Sequence, residues 1–288
     1  MHREFIAALL LAFLANIPML VADEGTSPEP VRVAGIVLKW IKADKAANCN
    51  RAEALIREAA AGGARIVCTT ECFLDGYAIT NRDMPLDEYR ALGEQVPGGP
   101  YYERLAKLAD ELDIHLCAGM LEADGDRRFN TAAVISPTGE LLGKYRKQEL
   151  GHELVRNTPG DASPVFDTPH GRIGLMICAD RRNADLVGRL QANGAELLIC
   201  PSGGMFGPKS NDPILQARSQ ETGLPIVFVH PAEFLVTGPG GVIESRELLG
   251  DTLEIAPEQV GTERDSSKVY FFDVAPVERD GNAPGGNP

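Results

Sequence analysis

Basic residues are in deficit in this sequence, because 28 lysines and arginines stand against 41 aspartates and glutamates and give a formal net charge of −13 at pH 7. Such a surface repels nucleic acid and anionic membranes, so neither is expected as a partner. Histidine is also scarce, and the five histidines show no spacing typical of metal ligands. We therefore expect no metal site.

The rest of the composition is typical of a globular protein. The 288 residues are 44% hydrophobic and 24% charged, which is enough for a sizeable core. Residues 23–30 form a polar linker with two prolines, and residues 275–288 are rich in glycine, proline and asparagine. No convincing linker lies between them. We therefore predict one domain over residues 31–274, followed by a flexible tail.

Residues 1–22 resemble a signal peptide. Phe5–Val21 is almost wholly apolar, and Ala22 precedes an acidic pair, which suits cleavage near Ala22. The pattern predicts export to a periplasm or out of the cell. A membrane anchor is the alternative, although Asn16 and Pro18 suit a spanning helix poorly.

Export would allow disulfides among the six cysteines. Four of them, however, lie in apolar, strand-like runs, where cysteine usually acts as a small hydrophobic residue. These are Cys68, Cys117, Cys178 and Cys200. Mostly free thiols are therefore expected.

Strands and helices alternate along the chain, which predicts an α/β fold. One unit runs from a strand at 31–40 through a helix capped by Asn50 to a strand at 64–70. A similar unit runs from a strand at 172–177 through a helix to a strand at 196–200. Two units of one pattern predict a pseudo-symmetric domain of two sheets with helices outside. Residues 74–100 read as a long loop, and Asp212 as the cap of a later helix.

Three charged or reactive side chains follow predicted strands. Glu71, Lys147 and Cys178 each stand at or just beyond a strand end, where ligand crevices of α/β folds lie. Singly, each has a simpler explanation: a surface carboxylate, a solvated lysine and a buried structural cysteine. Together they indicate a thiol nucleophile, a carboxylate base and an ammonium that stabilises an anionic intermediate.

Several motifs around these residues resemble those of the carbon–nitrogen hydrolases of the nitrilase superfamily. Residues 71–77, which end at Tyr77, are similar to the motif of the general base. Residues 143–147 are similar to the lysine motif, and residues 177–182 to the nucleophile motif, including Asp180 and Arg182. Glu153 aligns with the second glutamate of the family. The resemblance covers roughly residues 31–274.

The resemblance implies an α/β/β/α sandwich of two stacked mixed sheets flanked by helices. It also implies a homodimer or higher homo-oligomer and a mechanism without metal or other cofactor. Glu71 would deprotonate Cys178, and Lys147 with the backbone N–H of Ala179 would hold the oxyanion. Glu153 would orient Lys147 or the water, although Glu149 competes for this role.

The pocket residues suggested by the resemblance are Ala179, Tyr77, Arg182 and His230. Ala179 replaces a usual aromatic residue, and His230 stands where asparagine is frequent, so the substrate is open. The leading hypothesis is a hydrolase of a small amide or N-carbamoyl compound, with a nitrile less favoured. The alternatives are an acyltransferase that uses the same thioester and a non-catalytic binding protein of the same fold.

Overall fold

Twelve strands form two six-stranded sheets in the computed structural model, which describes residues 29–204, 207–249 and 267–277. The strands of the first sheet are β1 (Val31–Val37), β2 (Ile66–Cys68), β3 (His115–Asp124), β4 (Arg127–Ile135), β5 (Leu141–Arg146) and β12 (Lys268–Val274). Those of the second are β6 (Val165–Thr168), β7 (Gly171–Leu175), β8 (Leu197–Pro201), β9 (Ile226–His230), β10 (Glu233–Thr237) and β11 (Ile243–Leu248). The sheet orders are β12-β1-β2-β3-β4-β5 and β11-β10-β9-β8-β7-β6.

Helices cover the outer face of each sheet. The helices are α1 (Lys45–Ala61), α2 (Leu86–Ala91), α3 (Pro100–Leu112), α4 (Ala184–Ala192) and α5 (Pro208–Thr222). Helices α1 and α3 pack on the first sheet, and α4 and α5 pack on the second. A separate apolar core, which includes Val33 and Ile173, lies between the sheets. Because every strand that is central in its sheet is covered on both faces, its sequence is almost continuously apolar. The predicted α/β/β/α sandwich is confirmed.

The two sheets repeat one pattern of strand pairing. In each, an antiparallel pair (β12–β1 or β6–β7) leads into two parallel pairings and then two antiparallel ones. Gly63 and Gly194 occupy equivalent turns before β2 and β8, with φ of 85° and 89°. These left-handed conformations suit glycine and explain the repeated sequence. The predicted similarity of the two halves is therefore found in the backbone.

Two helix starts were predicted wrongly. Helix α1 begins at Lys45, and its N-cap is Asp44 rather than Asn50, because the Asp44 side chain accepts a hydrogen bond from the Ala47 N–H. Helix α5 begins at Pro208, a full turn before Asp212. Pro at the first position fixes this start.

Other differences lie in the connections. The predicted loop at 74–100 contains α2 and a short 3₁₀ helix (Ala78–Thr80), and strands β6, β10 and β11 were not predicted. The predicted leader and the end of the tail lie outside the described residues. Within the described ranges, no helix combines the length and apolarity needed to cross a membrane.

Candidate active site

Three strand ends meet at one edge of the two sheets. Strand β2 ends at Cys68, β5 at Arg146 and β7 at Leu175, so Glu71, Lys147 and Cys178 all follow shortly after a strand. The Glu71 N–H donates to the Ser202 carbonyl at 3.3 Å, which ties the segment after β2 to the segment after β8. The site therefore draws on both sheets, as expected at the ends of parallel strands.

The Lys147 ammonium is held between two buried carboxylates. Its Nζ lies 2.6 Å from Oε1 of Glu71 and 2.6 Å from Oε1 of Glu153. Burial alone would lower the pKa of this ammonium, but the attraction of the Glu71 and Glu153 carboxylates outweighs burial, and its pKa lies well above the ordinary value. The Lys147 side chain is thus positively charged, and its two carboxylate partners fix the position of the ammonium.

An asparagine that the sequence analysis missed completes this cluster. Asn130, on β4, donates through Nδ2 to Glu71 Oε1 at 2.8 Å and to Glu153 Oε2 at 3.0 Å. Its sequence signal is an amide within a buried strand. Glu153 also accepts from the Tyr77 hydroxyl at 3.2 Å and from Asn157 Nδ2 at 3.2 Å. Both carboxylates are thereby fixed in orientation without being exposed to water.

The two oxygens of Glu71 differ. Oε1 accepts from Lys147 and Asn130, whereas Oε2 is buried and has no hydrogen-bond partner among the described residues. Oε2 faces Gly203, where an added Cβ would lie 3.2 Å from it. Because Gly203 lines the cavity described below, Oε2 is the oxygen placed to exchange a proton with a bound molecule.

Cys178 stands at a strained turn that begins a 3₁₀ helix (Cys178–Arg182). Its φ is 48°, a left-handed conformation that costs a residue with a Cβ roughly 1–2 kcal/mol. Asp180 fixes the turn, because its carboxylate accepts from the Ile177 N–H at 2.9 Å and from the Glu149 N–H at 2.8 Å. Strain of this kind is typical of functional turns.

A cavity of about 470 Å³ opens onto these groups. Lys147 and Cys178 lie in its wall, together with three of the predicted pocket residues, Ala179, Tyr77 and Arg182. The other lining residues are Lys39, Trp40, Lys42, Thr80, Leu150, Gly151, His152, Gly203 and Gly204. The cavity has the size of a small-molecule site, with a cysteine and an ammonium in one wall.

His230 is a correction to the predicted pocket. It is not among the residues that line the cavity and lies behind them, 1% exposed. Its Nε2 pairs with the Gly204 carbonyl at 2.7 Å, and its Nδ1 accepts from the Ala232 N–H at 3.2 Å. Burial lowers the pKa of His230 from 6.5 to about 4. His230 is therefore a buried, neutral side chain that holds Gly204 and does not line this cavity.

The structure also separates Glu153 from its competitor. Glu153 is fully buried against Lys147, whereas Glu149 is exposed and accepts from Asn183 Nδ2 at 2.7 Å. All six cysteines are free, and the described residues include no cluster of three or more side chains able to hold a metal. A thiol, an unpartnered carboxylate oxygen and an ammonium can together carry out nucleophilic acyl chemistry.

Comparisons with known proteins identify relatives of this chain. A family model described as carbon-nitrogen hydrolase matches residues 32–265. The human omega-amidase NIT2 is 35% identical over 216 residues, which cover 70% of this chain and 74% of the human protein. Nitrilase 3 of Arabidopsis thaliana is 36% identical over 187 residues, which cover 60% of this chain and 54% of the plant protein.

Solved structures of other proteins share the fold of this chain. Nit3 of Saccharomyces cerevisiae, 23% identical, superposes with a TM-score of 0.70 over 86% of this chain and 91% of its own. An amidase from Nesterenkonia, 21% identical, gives 0.70 over 87% and 94%. In another structure of that amidase, the acetamide moiety of fluoroacetamide is bound covalently to its active-site cysteine.

Proposed function

This chain belongs to the carbon–nitrogen hydrolase family, and on that premise we propose that it is a thiol-dependent amidase that works through a thioester. The observation that carries the proposal is that Lys147, which is held from behind by Glu71 and Glu153, lines the same cavity as Cys178. These residues include a nucleophile, a base and an oxyanion donor, and each group has a separate role.

In the first half of the proposed reaction, Glu71 Oε2 takes the proton of the Cys178 thiol, and Sγ attacks the amide carbon. The carbonyl electrons move to oxygen, and Lys147 Nζ with the Ala179 N–H stabilises this oxyanion. Glu71 then passes its proton to the amide nitrogen. The C–N bond breaks, ammonia leaves, and an acyl thioester remains on Cys178.

In the second half, Glu71 activates a water molecule that attacks the thioester carbon. The same oxyanion contacts are used again, and the C–S bond breaks to release the carboxylic acid and return the proton to Cys178. Glu153 keeps Lys147 in place throughout, because Lys147 and Glu153 remain hydrogen-bonded behind the reacting atoms. No cofactor is required by these steps.

The charges around the cavity support a substrate with a carboxylate remote from its amide. Lys39, Lys42, His152 and Arg182 line it, and none of the described lining residues is acidic. The cavity lining is thus positively charged although the chain as a whole has a net charge of −13, and a positive lining would attract an anion. Human and frog relatives are named omega-amidases, which favours a terminal amide. We infer a small acid with an amide at its far end.

The test compares succinamate with succinamide, which differ in the carboxylate but hardly in shape. Ammonia release should occur with both, and kcat/KM should be about tenfold higher for succinamate, equivalent to about 1.4 kcal/mol. Lys42→Gln should reduce that ratio, while Lys107→Gln, an exposed change on α3, should not. Equal kcat/KM values for the two compounds would refute the preference for a substrate with a carboxylate. Turnover by Cys178→Ala would refute the mechanism.

N-carbamoyl compounds and nitriles belong in the same panel. Faster ammonia release from either than from succinamate would replace the amidase assignment by a carbamoylase or a nitrilase. Product that forms only when an amine is added would identify an acyltransferase that uses the same thioester.

A further inference from the structure

Arg181 is a buried cation beside the nucleophile, and the reaction described above gives it no role. Its side chain is 1% exposed and lies over the Phe228 ring, with Cζ 5.5 Å from the ring centroid. Its Nη2 donates to Asn211 Oδ1 at 2.6 Å. Among the described residues, no carboxylate lies within ion-pair distance of it. A buried charge without a carboxylate partner is costly and calls for an explanation.

The second hydrogen bond of Arg181 reaches the nucleophile itself. Nη1 donates to the Cys178 carbonyl at 2.5 Å. That carbonyl belongs to the same planar, trans peptide group as the Ala179 N–H, so the two point in opposite directions. Cys178 and Ala179 line the cavity, whereas Arg181 does not. A carbonyl held by Arg181 on the buried side therefore directs the Ala179 N–H towards the cavity.

We propose that Arg181 is a positioning residue that holds the Cys178–Ala179 peptide in the orientation needed to bind the oxyanion. This inference rests on the proposed hydrolysis, in which the Ala179 N–H is an oxyanion donor. The guanidinium also polarises the peptide, because a cation at the carbonyl oxygen strengthens the N–H as a donor. Without it, the left-handed turn at Cys178 loses a restraint and the peptide can rotate.

Helix α5 and strand β10 hold Arg181 in turn. Asn211 on α5 accepts from Arg181 through Oδ1, and its Nδ2 donates to Glu233 Oε2 at 3.3 Å. Glu233, at the start of β10, is fully buried. This contact fixes the amide of Asn211 with its oxygen towards Arg181. The orientation of the oxyanion-binding peptide is thus set from the outer layer of the second sheet.

Two reagents separate this role from a general structural one. Iodoacetamide alkylates the Cys178 thiolate by direct displacement at carbon, with iodide as leaving group, and it develops no oxyanion at the site. Propionaldehyde adds to the same sulfur: the S–C bond forms, the carbonyl electrons move to oxygen as an oxyanion, and the thiol proton goes to Glu71. Only the second reaction needs the Ala179 N–H. The aldehyde affinity is measured by protection of Cys178 from alkylation.

Arg181→Met should lower kcat for amide hydrolysis on the order of 100-fold and weaken propionaldehyde binding on the order of 10-fold. Alkylation without aldehyde should stay within about threefold of wild type, because the nucleophile and its base remain. Asn211→Ala keeps the cation but removes its hydrogen bond to α5, and it should show the same selective loss to a smaller degree. Arg218→Met, on α5 away from the cavity, is the matched control. It should change neither kcat, nor the affinity for propionaldehyde, nor the rate of alkylation.

Parallel loss of alkylation and aldehyde binding in both variants would overturn the proposal, since it would show general damage to the nucleophile. Unchanged aldehyde binding in Asn211→Ala or Arg181→Met would also overturn it. If Arg181→Met does not fold, Asn211→Ala decides. A wild-type protein that releases no ammonia from any amide refutes the proposed function alone, because aldehyde protection still measures the effect of Arg181 on oxyanion binding.

Discussion

The hydroxyl of Tyr145 donates to Oδ2 of Asp180 at 2.8 Å, deep between the two sheets. Tyr145 belongs to β5 of the first sheet, and Asp180 to the nucleophile turn of the second. Asp180 also accepts from the Glu149 N–H, two residues beyond Lys147. One carboxylate therefore links the segment that follows Lys147 to the turn that carries Cys178.

Tyr145→Phe should lower both stability and activity. It removes one buried hydrogen bond to a charged group, which is worth about 1.5–3 kcal/mol of unfolding free energy. It should also lower kcat, since Asp180 loses a restraint that keeps the two segments in register. Urea unfolding and ammonia release measure the two effects. Tyr270→Phe is the control, because the Tyr270 hydroxyl donates to the Leu248 carbonyl, remote from the cavity; an equal loss of kcat in that variant would contradict the explanation.

Glu153→Gln should reduce kcat by roughly 100-fold, whereas Glu149→Gln should stay within about twofold of wild type. The amide of glutamine removes a negative charge from the Lys147 ammonium, so the ammonium is no longer centred between two carboxylates. Glu149 is exposed and its carboxylate accepts from Asn183 rather than from Lys147, so its change leaves the ammonium untouched. Steady-state ammonia release distinguishes them. Similar losses in both variants would show that the buried carboxylate has no special role.

His230 should make the folded state sensitive to mild acid. Its pKa is about 4 in the folded protein against an ordinary value of 6.5, so the unfolded chain takes up the proton first as pH falls. The stability that neutral His230 provides is complete above pH 6.5 and is lost between pH 6.5 and 4, by at most about 3 kcal/mol. Unfolding free energies of wild type and His230→Gln, measured from pH 7.5 to 4.5, should therefore converge as pH falls. A constant difference would contradict this assignment.

Iodoacetamide at pH 7.5 should label one thiol, that of Cys178. Burial raises the pKa of Cys117 to about 12 and raises those of Cys68, Cys72 and Cys200 well above their ordinary range. Only Cys178 lines the cavity. Intact mass should therefore increase by one adduct, and Cys178→Ser should abolish it. Fast labelling of a second cysteine would show that access, rather than thiolate formation, controls the reaction.

Sequence was informative where one short segment determines the geometry. Apolar runs gave the central strands, and Gly63 and Gly194 gave the turns before β2 and β8, because only local backbone conformation decides those. Glu71, Lys147 and Cys178 could be proposed from their positions after strands. Their roles stay predictions, which the variants above test. The leader and the oligomeric state also stay predictions.

One strand and two side chains that depend on tertiary packing were not predicted, for a physical reason. Strand β11 is a half-exposed edge strand, so its residues alternate too weakly with polar ones to read as buried. Asn130 contacts Glu71, and Arg181 is held by Asn211, a group 30 residues away along the chain. No local pattern encodes such a meeting, although an amide in an apolar strand and an arginine next to a candidate nucleophile are features to examine in other sequences.

The cavity wall joins residues from both sheets, because Lys147 follows a strand of the first sheet and Cys178 a strand of the second. Catalysis consequently requires the two halves of the molecule to stay in register, because a misplacement of about 1 Å can cost on the order of 100-fold in rate. On gentle heating, turnover should vanish before circular dichroism changes. Activity in this protein thus reports on the packing between the two sheets.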